Sequence, residues 1–160
     1  MSATTRLSLC ALLLGIFCQC AFAQDASTPN EIERRAFEQT NLVRVKNGLP
    51  PFVWDSDLGR MARNHSESMS RLHFFSHVTP DGKRLPDRAR AAGISRYSSV
   101  GENIAYNQGY EDPGALAVER WMDSPKHRAN ILSSEFRAMA IGSYVAPDGS
   151  VYLTQTFIKR

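Results

Sequence analysis

The chain has 160 residues, of which 42% are hydrophobic and 22% charged, and a formal net charge of +3. That length suits one domain with a workable core, and so mild a charge gives no electrostatic case for a nucleic-acid partner. The three cysteines, Cys10, Cys18 and Cys20, all lie near the start, so the remaining chain has no disulfide and no thiol nucleophile.

The opening residues read as an export leader. Arg6 precedes the apolar run LSLCALLLGIFC, and Ala21-Phe22-Ala23 follows as a small-x-small cleavage site. The run is too short to span a bilayer. Bulky Phe17 and Gln19, directly before Cys18 and Cys20, argue against lipid attachment. The sequence thus divides into a signal peptide over 1–23, a short linker over 24–29 and one domain over 30–160, secreted or periplasmic and not membrane-spanning. Losing Arg6 with the leader removes one positive charge.

In chain order, Asn30 with Glu33 forms a capping pair that opens a first helix. Ile32, Ala36, Phe37 and Val43 give it an apolar stripe, and Asn47-Gly48 closes it. A second helix starts near Ser56, with Leu58, Met61, Ala62, Met69 and Leu72 at helical spacing. His65 falls on that stripe and reads as a satisfied core histidine; Ser66, Ser68 and Ser70 stand in no nucleophile-elbow motif. FFSHVTPDGKRL is a loop by its Pro-Asp-Gly turn, and His73 beside it has no evident partner. The spacing predicts a third helix over 86–92, a strand over 100–105 and a fourth helix from Asp112-Pro113, burying Leu116, Val118, Trp121 and Met122. Lys83, Arg84, Arg88, Arg90 and Arg96 read as a solvated basic face.

Ser124 and Pro125 start a short helical turn, with Ile131 and Leu132 buried after it. AMAIGSYVA, a Pro147-Asp148-Gly149 turn and SVYLTQTFI form a hairpin. Helices followed by antiparallel strands make an α+β domain, with helices packed on a small, mainly antiparallel sheet. Trp121 and the Phe74-Phe75 pair read as core.

Three polar residues stand out because apolar neighbours fix them: His77 after Phe74-Phe75-Ser76, Glu102 in VGENIA, and His127 in SPKHRANIL. They lie on three different elements, and their spacing does not say whether they converge. Taken together, FFSH, GENIA, WMDSPKHRANIL and the closing YLTQTF resemble the bacterial branch of the CAP superfamily, the cysteine-rich secretory, antigen 5 and pathogenesis-related 1 proteins with their SCP-like domain. The resemblance covers about residues 30–158 and implies an α/β/α sandwich. It also implies a cleft of two histidines and two acidic residues that often hold zinc or another divalent ion. His77, Glu102 and His127 match three of the four positions. The fourth, three residues after Trp121, is Ser124, so one carboxylate is missing; Asp123 beside it would point elsewhere on a regular helix.

Two imidazoles and a carboxylate can form an open Zn²⁺ shell, or a hydrogen-bonded polar cluster without metal. Asn103, Ser124 and Gln155 are expected to support the cleft, with Asn103 and Gln155 satisfying polar groups rather than ligating. No catalytic residue is assigned beyond Glu102 as candidate base. These residues fit a monomeric binding or interaction module for an extracytoplasmic lipid, cell-wall component or protein, with a metal-assisted, peptidase-like hydrolase as the alternative.

Overall fold

The computed structural model describes residues 30–160; the expected leader and linker lie outside the described residues. Helix α1, Glu31–Lys46, opens with the capping box that its sequence announces. Asn30 Oδ1 accepts from Glu33 N at 3.0 Å, and Glu33 Oε2 accepts from Asn30 N at 3.0 Å. Glu33 does more than cap. It has no exposed surface, takes Arg63 at 2.6 and 2.8 Å, and accepts from Ser143 N at 2.9 Å, which staples the start of α1 to two other elements.

Helix α2, Ser56–Arg71, is capped by Asp55 and buries Leu58, Met61, Ala62, His65 and Met69. Leu72 departs from the expected stripe and is 59% exposed. It is the C-cap, and the chain then turns through His73 at φ 53°, a left-handed conformation that swings the last residues off the helix axis. Helix α3 spans Leu85–Ala91, α4 spans Pro113–Asp123 and α5 spans Pro125–Ile131. The strands are β1 (Val53–Trp54), β2 (Ser99–Gln108), β3 (Ala138–Val145) and β4 (Ser150–Lys159). Strand β2 runs further at both ends than expected because β4 pairs with its whole length.

The sheet order is β1-β3-β4-β2, with β1 parallel to β3 and the other pairs antiparallel. Alternation sorts the strand residues between two helical layers. Met139, Ile141, Leu153 and Phe157 pack with Ala36 of α1 and with Val118 and Trp121 of α4. Ala140 and Ile158 face the other way, onto Leu58 and Met61 of α2 and Ala89 of α3. This is the α/β/α sandwich expected from the sequence.

Glycine allows the closest approach in the sandwich. A Cβ on Gly142 of β3 would sit 2.0 Å from Arg63 N and 2.2 Å from the Ala62 carbonyl carbon, so α2 lies directly on the strand backbone. On the opposite layer, Trp121 is 1% exposed and its Nε1 donates to Ile104 O at 2.9 Å. Ile131 is fully buried, while Leu132 is only half-buried against the same cluster.

Two stability predictions follow from this packing. Trp121→Ala should lower the unfolding free energy by about 3–5 kcal/mol, since it leaves a cavity and an unpaired strand carbonyl. Gly142→Ala should cost about 1–3 kcal/mol or more by forcing α2 off the sheet. Urea unfolding checks both; a midpoint unchanged in either variant would refute the packing described.

Candidate functional site

The site forms at the outer edge of the sheet, where β2 meets the loop after α2. Glu102 and His77 come together as their flanking residues suggested: His77 Nδ1 lies 2.9 Å from Glu102 Oε1. Glu102 is 9% exposed, whereas the His77 side chain is 51% exposed. Both line a cavity of about 430 Å³ with Val78, Leu85 and Val100.

Two residues that the sequence reading left aside complete the cluster. Arg88 of α3 donates from Nη2 to Glu102 Oε1 at 2.9 Å and Oε2 at 2.8 Å, and to His77 O at 3.1 Å. Its side chain is only 9% exposed, so it leaves the solvated basic face to which it was assigned. The signal was present in sequence: Arg88 shares the helical face of Leu85 and Ala89, whereas Arg90 projects into solvent. His65 lies 4.0 Å from Glu102 and bonds Ser76 O through Nε2 at 3.0 Å. It is a buried histidine, as expected, but it borders the cluster.

His127 stands on α5, half-buried, and does not line the His77–Glu102 cavity. Burial holds its pKa below the ordinary value, and the neighbouring His77 imidazole lowers it further. The two histidines thus feel one another, although His127 makes no bond to Glu102.

The expected support residues divide. Asn103 has no exposed surface and donates to His127 O at 3.2 Å and to Gln155 Oε1 at 2.8 Å. Gln155 passes the chain on to Thr40 Oγ1 at 2.9 Å. Asn130 of α5, unnoticed in sequence, donates to Asn103 Oδ1 at 2.8 Å and to Glu102 O at 3.2 Å. Ser124 occupies the N-cap of α5, but its side chain makes no capping bond. Phe74 lies edge-on to His65 at 5.9 Å, while Phe75, expected in the core, is 52% exposed and touches Tyr106 instead.

Of the expected shell of His77, Glu102 and His127, the first two meet and the third stands outside their cavity. Among the described residues, no three His, Cys, Asp or Glu side chains come together as a metal-holding group. His127 makes no bond to Glu102, and Arg88 Nη2 already bonds both Glu102 oxygens.

Burial pushes the His65 pKa down to about 4; Arg88 and His77 push the same way and Glu102 opposes them. The unfolded chain therefore takes up a proton from about pH 6.5 downward that the folded chain refuses until about pH 4. The stability from neutral His65 is complete above pH 6.5 and is lost as pH falls through that window, by about 3 kcal/mol. His127 adds a smaller slope of the same sign. Unfolding titrations of the parent and His65→Gln should show the steeper pH dependence in the parent alone. Equal slopes would refute the burial-driven shift.

Comparison with known proteins agrees with this architecture. The profile of the cysteine-rich secretory protein family (CAP) matches residues 37–157. The uncharacterized membrane protein YlbC of Bacillus subtilis (strain 168) is 38% identical over 128 residues, 80% of this chain and 34% of that protein. The uncharacterized protein YkwD of the same organism is 38% identical over 134 residues, 84% of this chain and 49% of that protein. An extracellular SCP-domain protein from Bacillus anthracis str. Ames has a TM-score of 0.70 at 30% identity, over 81% of this chain and 40% of its own. The chain thus spans a third to a half of these relatives. With the profile matched across both layers of the sandwich and the site, the chain belongs to the cysteine-rich secretory protein (CAP) family.

Proposed function

We propose that this domain is an extracytoplasmic binding module whose ligand docks on His77, with His127 alongside and Glu102 holding His77 in place. The carrying observation is the way Glu102 is used. Its charge is compensated by Arg88 and its Oε1 is shared with His77 Nδ1. A carboxylate so engaged orients an imidazole well but is poorly placed to take a substrate proton or a metal ion. Among the described residues, no serine or threonine hydroxyl is bonded to either cleft histidine, so an activated nucleophile is not assembled there. An extracytoplasmic setting is supported by the leader-like opening and by the extracellular Bacillus anthracis relative. No helix among the described residues is long and apolar enough to cross a membrane. Lipid, cell-wall component and protein remain the ligand classes to be separated.

Co-sedimentation with purified cell-wall sacculi and with lipid vesicles, and capture of envelope proteins, separates them. The parent should bind one class, and His77→Ala and His127→Ala should each weaken that binding about five- to tenfold, the effect of one lost hydrogen bond. Undiminished binding in both variants would remove the cleft from recognition. Zn²⁺ calorimetry at neutral pH should show no tight site in the parent. A tight site lost in both histidine variants would instead establish a metal centre, and chelator-sensitive turnover of peptides or esters would favour the hydrolase.

A further inference from the structure

Between α2, the turn at 79–83 and α3 lies a cavity of about 490 Å³, lined by none of His77, Glu102 and His127. Its size falls within the range of small-molecule sites. Met61, Leu72, Pro80, Ala91 and Ala92 give it apolar walls. Its polar lining includes His65 and Arg88, whose side chains are 0% and 9% exposed.

Both residues carry buried polar atoms without a partner among the described residues: Arg88 Nε, Arg88 Nη1 and His65 Nδ1. Native interiors rarely leave such atoms unpaired, and three of them on two neighbouring side chains beside one cavity point to a ligand. Their chemistry says which kind. The Ser76 carbonyl can only accept, so the His65 Nε2 bonded to it carries the proton and Nδ1 offers a lone pair. Burial keeps that ring neutral. The guanidinium of Arg88 only donates. The charge is already balanced, because Glu102 pairs with Arg88, and Asp81 pairs with Lys83 at 2.7 Å on the cavity rim. A carboxylate ligand would find no unmatched cation and would face the Nδ1 lone pair.

We propose that this cavity is a second ligand site, for a small neutral molecule with an apolar body and an amide or hydroxyl head. Binding turns the enclosed Arg88 and His65 edges toward the cavity, so that the head oxygen accepts from Arg88 and its N–H or O–H donates to His65 Nδ1. Neither the family match nor the cleft reading assigns this site.

Titration of the ¹⁵N-labelled protein at pH 7 with cyclohexanecarboxamide, cyclohexylmethanol and cyclohexanecarboxylate tests it. The amide and the alcohol should shift backbone resonances of α2 and α3 saturably and move the His65 Nδ1 resonance upfield. The carboxylate should not saturate. Arg88→Lys keeps a cation beside Glu102 but lacks Nε and Nη1, and should weaken amide binding about tenfold or more. Ala91→Trp, on an exposed part of the wall, should abolish binding while the fold is kept, and it decides the matter if Arg88→Lys does not fold. The proposal is overturned if neither neutral probe saturates, if the carboxylate binds as tightly, or if Ala91→Trp leaves the affinity unchanged.

Discussion

Asn103 uses a fully buried carboxamide to hold three elements at once. From β2 it donates to Gln155 of β4 and to the His127 carbonyl of α5, and it accepts from Asn130 of the same helix. Gln155 continues the chain to Thr40 of α1, whose hydroxyl donates to Ala36 O at 2.8 Å. In a dry interior each of these bonds is strengthened by its neighbours, and leaving any member unpaired is costly. The short helix α5 has only seven residues and could not hold itself in place. The amide chain fixes it from beneath, and with it the position of His127.

Helices α4 and α5 cover the β2 edge of the sheet. Among the described residues, strand β2 has no strand partner beyond it, and its outward carbonyls would otherwise be open to another chain. Side chains take them instead: Asn130 on Glu102 O, Trp121 on Ile104 O, and Arg120 on Tyr106 O at 3.4 Å. Edge protection and site construction are therefore one structure, because the capped carbonyl of Glu102 belongs to the residue that orients His77. A change in α4 or α5 that frees the edge also loosens the cleft.

Much of this was legible because it is local. The Asn30–Glu33 box, the Pro113 and Pro125 starts, and the hairpin around Asp148-Gly149 depend on neighbours in sequence, and the structure has each of them. His77 and Glu102 were singled out by their apolar flanks, and their pairing rests on a separation of 25 residues that only the fold closes. Arg88 sits among other cations in sequence, and only its place on the Leu85–Ala89 face marks it as buried. Leu72 and Phe75 are apolar yet exposed, so apolar character alone does not mark burial there. The left-handed turn at His73 carries the chain away from the core just there. The chain of amides from Asn103 to Thr40 spans 115 residues between Gln155 and Thr40, and no local pattern encodes it.

Arg88 and Glu102 form the partition between two cavities, one bordered by Glu102 and His77 and the other by Arg88 and His65. A buried ion pair is expensive to desolvate, and replacing it with apolar residues often stabilises a protein, so its presence is weak evidence for a purely stabilising role. Here both oxygens of the carboxylate rest on a single guanidinium nitrogen, which leaves the other two nitrogens of Arg88 unused among the described residues. Any ligand that draws on those nitrogens alters the same guanidinium that balances Glu102, and Glu102 in turn orients His77. Were both proposed sites to bind, linkage would make any such influence reciprocal. Glu102 is thus the carboxylate on which both His77 and Arg88 rest.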